Sequence, residues 1–308
     1  MLAFGDLPER SDLGHLIPAA RKTAALPAAE RLERLRGDRW IGYTRAQQAL
    51  AKLEELYTHP QRERMPNLLI VGPTNNGKSM IVAKFKRSKM VTLADPAAAE
   101  TIPIVHLQMP SDPTIQRFYA RLLDAIGAPF PPRARVAELE TLALRILRRI
   151  GLRLLVIDEV HNLLAGSGVQ QREFLNLLRF LGNELKVPLV CVGTRDAYLA
   201  IRSDDQLENR FQPMTLPVWR DDDEFAALLA SFGAVLPLRR PSPFDDPGIR
   251  RYIIEKSEGA IGEIAELLRG AAAVAIETEE EAITRRVLRL SEYESPTERR
   301  RQFERELI

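Results

Sequence analysis

Four short, mostly apolar runs separated by helical stretches leave this chain few folds to choose from. The runs are NLLIVG (67–72), IPIVHLQ (102–108), LRLLVIDEV (152–160) and VPLVCVG (187–193). Apolar residues in succession, rather than in alternation, describe strands buried on both faces. Helical periodicity fills residues 77–88, 114–126, 136–149, 170–185 and 195–202. Such alternation predicts a three-layer α/β fold around a parallel sheet. A weaker fifth run, FQPMTLPVW (211–219), carries two prolines, which cannot donate to a ladder, so it is expected at a sheet edge.

From about residue 221 the pattern is helical only, as in DDDEFAALLASFG and AIGEIAELLRGAAAVAIETE. This predicts a small all-helical lid domain after the α/β domain. Residues 1–38 are rich in Pro, Ala and alternating charge and read as an arm or linker running into a short helix. The end, 291–308, is charge-dense with few apolar anchors and reads as a tail or an exposed helix. Solvated disorder is the default for both, and both are natural partner-docking segments. The expected division is therefore 1–38, 39–219, 220–290 and 291–308.

With 45% apolar and 28% charged residues the chain is an ordinary globular protein. A formal net charge of +2 neither demands nor excludes nucleic acid, so only a local basic surface could decide that. The single cysteine, Cys191, has no intramolecular partner and sits in an apolar run, which suits a reducing compartment and an inert buried thiol. The start, MLAFGDLPERSD, lacks the pattern of a signal peptide, and no apolar stretch approaches the roughly 20 residues that span a bilayer. A cytoplasmic protein without a membrane partner is expected.

The chemistry lies where strands end. The first run closes on Gly72-Pro73-Thr74-Asn75-Asn76-Gly77-Lys78-Ser79, a G-x-x-x-x-G-K-[ST] phosphate loop, with Met80 completing the expected cofactor-binding set. Successive N–H groups of such a loop converge on phosphate, Lys78 reaches the β/γ oxygens, and the Ser79 hydroxyl ligates Mg²⁺. The third run closes on Asp158-Glu159. A carboxylate buried without a partner is costly, so two acids at the end of a buried strand point to Mg²⁺ for Asp158 and to a general base, Glu159, for the attacking water. His161 follows closely, but a lone histidine at a helix start reads as packing. Thr194, after the fourth run, has two readings: a contact to the γ-phosphate or its water, or a plain helix N-cap. Arg210, in DDQLENRFQPM, also has two: a surface ion pair, or an arginine reaching the nucleotide of a neighbouring subunit.

These motifs, in this order and followed by a helical domain, resemble the AAA+ ATPases. More narrowly, RWIGYTRA, RMPNLLIVGPTNNGKSMIVAKF, LLVIDEVHNLL and QLENRFQPMTLPVW look like the TniB family, over roughly residues 30–290. These are ATP-dependent target-selection proteins of DDE-type transposons, relatives of TnsC and more distantly of IstB. The resemblance implies a strand order of 5-1-4-3-2 and ATP bound at subunit interfaces, with Ile41 and Tyr43 lining the adenine pocket. It implies assembly on double-stranded DNA as a hexameric ring or helical filament. Implied partners are a transposase of the TniA/TnsB type and a TniQ-type protein, with hydrolysis resetting the polymer. One departure stands out: Gly262-Glu263 occupies the place where many AAA+ lids offer an arginine to the γ-phosphate, and Arg269 lies nearly two turns further on.

DNA contacts are expected from the segments between the second and third runs. Thr114, Gln116 and Arg117 are candidates on one, Arg133 and Arg135 on the other; the alternative is a pair of solvated helix faces. Two other functions compete. A helicase loader or replication initiator shares the nucleotide motifs, although no helix-turn-helix pattern follows the lid. A signalling ATPase of the STAND type would need long effector domains, for which a chain ending near 308 leaves no room.

Overall fold

The computed structural model describes residues 13–37, 39–92 and 101–307. The first twelve residues of the expected arm, with Asp38 and Ile308, lie outside them. The chain divides into two compact units, Arg45–Pro217 and Met1–Thr44 with Val218–Ile308.

The first unit is built on β1 (Asn67–Val71), β2 (Ile104–Gln108), β3 (Leu154–Asp158), β4 (Leu189–Gly193) and β5 (Phe211–Thr215). They form one sheet in the order β2-β3-β4-β1-β5 with every neighbouring pair parallel, which is the expected 5-1-4-3-2 read from the other side. The central strands β1, β3 and β4 are buried at all five positions, the physical counterpart of their apolar runs. β5 is the edge strand, and its Pro213 stands opposite Leu69 of β1 without needing a partner on its outer side. The crossover and flanking helices that follow Thr44 belong with this sheet: α3 (Thr44–Thr58), α4 (Lys78–Thr92), α5 (Ile115–Ala125), α6 (Val136–Arg149), α7 (Gly168–Leu185), α8 (Arg195–Arg202) and the short α9 (Asp205–Glu208), α1 and α2 being earlier in the chain. Phe118 of α5 meets Phe174 of α7 edge to face at 5.3 Å inside a core that includes Tyr119, Leu155, Leu178 and Leu189. Cys191 is fully buried there, and burial pushes its thiol far up, as an inert structural cysteine requires.

The second unit is helical: α1 (Pro18–Ala24), α2 (Ala28–Leu35), α10 (Asp223–Val235), α11 (Pro247–Ser257), α12 (Ile261–Glu277), α13 (Arg285–Leu290) and α14 (Pro296–Glu306). α12 runs through its centre, burying Ile264, Leu268, Ala272 and Ile276 against Phe225, Leu229 and Ile253. Here the structure departs from the expected division. Residues 13–37 are not a separate arm: Leu16, Ala20 and Ala24 are buried, and Leu35 and Ile41 belong to the helical core. Arg31 of α2 is buried and grips Glu281 with both terminal nitrogens, each at 2.7 Å. The tail is the helical alternative. α14 starts with a Ser295–Glu298 capping box and is tied down by Lys256–Glu298 and Arg299–Glu263 pairs, each at 2.7 Å. Among the described residues no helix is long and apolar enough to cross a membrane.

Candidate active site

Because every strand runs the same way, the loops after β1, β3 and β4 gather at one edge of the sheet, the usual place for a ligand in an open α/β fold. The phosphate loop is the first of them. Gly72 donates its N–H to Gly193 O at 3.2 Å, tying the loop to β4. A Cβ on Gly72 would lie 2.7 Å from Leu216 O, so no other residue fits. Asn75 and Gly77 take positive φ values of 57° and 77°, which wrap the backbone into the turn. Pro73, Thr74 and Asn75 are exposed at its crest. The Asn76 side chain does not face that way. It is buried and donates to Leu216 O at 2.7 Å and Pro217 O at 3.0 Å, bracing the loop against the exit of β5.

Lys78 opens α4 with its side chain folded over the loop, Nζ donating to Gly72 O at 2.9 Å and Pro73 O at 2.5 Å. Burial lowers the pKa of this ammonium, against the pull of the Glu159 and Asp158 carboxylates, which favour its charge. Ser79 donates from Oγ to Asp158 Oδ2 at 2.5 Å, and the Glu159 N–H donates to Oδ1 at 2.8 Å. Asp158 is wholly buried. Burial pushes its carboxyl up, but His106, the Ser79 hydroxyl and the Glu159 N–H outweigh this and hold it below the ordinary carboxylate value. His106 Nε2 stands 3.6 Å from Oδ2. A hydroxyl and one carboxylate oxygen side by side are the hard oxygen donors that Mg²⁺ takes, with phosphates supplying the rest. No group of three or more His, Cys, Asp or Glu among the described residues would hold a metal alone. The donor set therefore fits Mg²⁺ brought with a nucleotide. Met80 is half-exposed on α4.

Glu159 stands in the left-handed region, at φ 56°, as the residue that ends the strand and starts a 3-10 turn over Val160–Ala165. A non-glycine residue there carries strain of about 1–3 kcal/mol, which clusters at functional sites. Its Oε2 is 3.1 Å from His161 Nε2. Thr194 occupies the N-cap position of α8, yet its side chain caps nothing, and Oγ1 is buried without a hydrogen-bond partner among the described residues. Of its two readings, the side-chain cap is absent. Neither His106 nor His161 was singled out by sequence as a site residue. His106 is visible only as a polar interruption of the second run, and His161 only as a neighbour of the acids.

Arg210 stands at the other end of the sheet, immediately before β5, where its O accepts from Asn67 N at the start of β1. Five strand steps at about 3.3 Å each put it about 17 Å along β5 from the edge that carries the phosphate loop. Its Nη1 donates to Asn183 Oδ1 of α7 at 2.8 Å, and it forms no acidic ion pair among the described residues. The candidate DNA residues share the phosphate-loop edge, and the two segments meet: Gln116 Nε2 donates to Ala134 O at 3.0 Å. Thr114 caps α5 by accepting from Arg117 N, and Arg117 pairs with Asp112 at 3.0 Å with both side chains largely exposed. Arg133 and Arg135 are exposed.

Ile41 and Tyr43 lie in the helical unit. Ile41 is buried in its core, and Tyr43 meets Trp219 edge to face at 5.2 Å, with burial pushing its phenol up to about 12. In the first turn of α12, Glu263 accepts from Arg299 at 2.7 Å and from the Tyr293 hydroxyl. Arg269 pairs with Glu266 on its own helix at 2.8 Å.

Several solved structures share this fold. The ORC2 protein of Aeropyrum pernix, in ADPNP–ADP complexes, superposes with a TM-score of 0.60 at 14% identity, over 85% of this chain and 70% of that one. The ORC1 protein of the same organism, in complex with DNA, gives 0.56 at 17% identity, over 80% of this chain and 63% of that one. Cdc6p from Pyrobaculum aerophilum gives 0.56 at 15% identity, over 84% and 70%. At such identities the likeness is one of fold alone. No curated protein matches the chain. The model of the bacterial TniB protein family matches residues 31–221, more than half of the chain and every loop of the site. By its sequence and by the sheet that carries those loops, the chain belongs to the TniB family.

Proposed function

We propose that this protein binds and hydrolyses ATP, assembles on double-stranded DNA as a ring or filament of its own copies, and recruits a DDE transposase to that DNA. The observation that carries the reading is a separation. Lys78, Ser79, Asp158, Glu159 and Thr194 converge at one edge of the sheet, while Arg210 stands at the other. In a single copy the base and the phosphate-binding groups stand together and Arg210 stands apart from them, so the Arg210 of a neighbouring copy would complete the site.

Lys78 Nζ, now held by two loop carbonyls, exchanges them for phosphate oxygens. Ser79 and Asp158 hold Mg²⁺, which when bound neutralises phosphate charge. Glu159 takes the proton of the attacking water, and the unpartnered Thr194 hydroxyl orients that water. Arg210 of the adjacent copy stabilises the charge that develops, a contribution worth about 10³–10⁵ in rate in other phosphoryl-transfer systems. Nucleotide state thereby becomes polymer state. Thr114, Gln116, Arg117, Arg133 and Arg135 supply weak phosphate contacts that multiply over many copies. The Aeropyrum pernix ORC1 protein, of the same fold and in complex with DNA, supports a DNA-facing role. A transposase of the TniA/TnsB type, with a TniQ-type protein, is the partner that family membership favours over a replicative helicase.

Electron microscopy with double-stranded DNA tests the reading. Rings or filaments should form with ATP or a slowly hydrolysed analogue, vanish with ADP, and fail in Lys78→Ala and Arg210→Ala. Monomers under every condition would overturn it.

A further inference from the structure

His161 lies in the turn that follows β3. In a strand, residues 159 and 161 would lie two apart on one face about 7 Å from each other. The left-handed backbone at Glu159 breaks the strand, and the two side chains meet at 3.1 Å, Nε2 to Oε2. The opposite edge of the ring fits against the junction of β4 and α8. A Cβ on Gly193 would stand 2.6 Å from Ala197 Cβ, so glycine lets α8 close in on β4 there, and the same point lies 3.5 Å from His161 Nδ1, which places the ring against that junction. Nδ1 is buried and unpartnered among the described residues, as is the hydroxyl of the next residue, Thr194. A proton on Nδ1 would be an unsatisfied buried donor, at a cost of about 1–3 kcal/mol. The neutral ring protonated on Nε2 avoids that cost and makes Nε2 a donor to the carboxylate. Packing alone asks for none of this polarity, since a phenyl ring would fill the same space. The carboxylate so held stands near enough to Lys78 to favour its charge, on the side of the site where phosphate is expected.

We propose that His161 is a positioning residue for hydrolysis: it donates from Nε2 to Glu159 and holds that carboxylate in place to take the proton of the attacking water. The role rests on reading the site as an ATPase. Three replacements separate it from packing. His161→Phe keeps the ring and removes the donor, His161→Gln restores a donor near the Nε2 position, and Glu159→Gln removes the group to be positioned. With ATP, His161→Phe is expected to lower kcat about 10–100-fold, a fraction of what a general base contributes, with KM changed by less than about twofold. His161→Gln should recover most of that loss. In a Glu159→Gln background, His161→Phe should add nothing, because the two act as one unit.

A second readout needs no nucleotide. The chain has 4 histidines, so protein labelled with nitrogen-15 at histidine gives few ring signals, and His161→Phe identifies the one in question. That Nε2 signal should move in Glu159→Gln. Wild-type turnover in His161→Phe, losses that multiply in the double variant, or an unmoved nitrogen signal would overturn the proposal. A wild-type protein that hydrolyses no more ATP than Lys78→Ala would overturn the ATPase reading instead, while the nitrogen signal would still decide whether His161 holds Glu159.

Discussion

At the scale of single residues, the site is a set of polar atoms whose partners are incomplete. Thr194 is the clearest case. Its hydroxyl sits where an N-cap would, caps nothing, and is buried without a partner among the described residues. A buried polar atom left unmade costs stability, so it is kept for something other than the fold. Thr194→Val should leave thermal stability unchanged or raised, while lowering kcat about 10²-fold or more, as losing one preorganised hydrogen bond does elsewhere. Thermal unfolding and steady-state hydrolysis on the same preparation check this; a Val variant that is destabilised yet fully active would restore the capping role. Spacing made the loop and the two acids legible, because phosphate and Mg²⁺ chemistry ask for fixed residue types at fixed offsets. It did not reveal that Asn76 turns inward to brace Leu216 and Pro217, a contact 140 residues away. Nor did it reveal that His161 reaches Glu159, since only the left-handed turn at Glu159 brings them together.

At the scale of elements, the strands were legible because a strand covered on both faces writes itself as an apolar run, and Pro213 marked the edge. Of the N-terminal helices, the short one after Pro27 was expected, but α1 and the packing of both were not. Their partners lie far off in sequence: Leu35 packs in the helical core, and Arg31 pairs with a residue 250 positions away. Arg31 and Glu281 are both buried, and the Arg239 N–H adds a third bond to Glu281 at 3.1 Å. Breaking such a pair from one side costs about 3–5 kcal/mol, so Arg31→Ala should markedly lower the unfolding temperature of the helical unit. The pair also sets a pH dependence. Burial pushes the Glu281 carboxyl up, but the bonds from Arg31 and Arg239, with their charges, carry it below its ordinary value. A carboxyl whose folded pKa is depressed contributes stability above its unfolded pKa, about 4.3, and loses it as pH falls through the folded value. Denaturant titrations should therefore show Glu281→Gln well below wild type at pH 7, with the gap closing below about pH 4. A gap that is constant with pH would mean the carboxylate charge contributes nothing.

At the scale of the whole molecule, the parallel sheet separates what one active site needs. In the proposed assembly its two ends are the two sides of one catalytic unit, and a copy that carries Arg210 at one end and the phosphate loop at the other would join head to tail. That arrangement generates a ring if it closes and a helix if it does not. The order of motifs along the chain suggested an arginine acting across subunits, and about 17 Å of strand between Arg210 and the loop on its own copy is the spacing on which that proposal rests. The central claim is that Arg210 serves a neighbour. The most direct test mixes two inactive variants, Lys78→Ala and Arg210→Ala, in equal amounts with DNA and ATP. An intact loop then meets an intact arginine wherever an Arg210→Ala copy receives the arginine of a Lys78→Ala copy, so hydrolysis should return in the mixture to a fraction of the wild-type rate. A mixture as inactive as either variant alone would contradict the account.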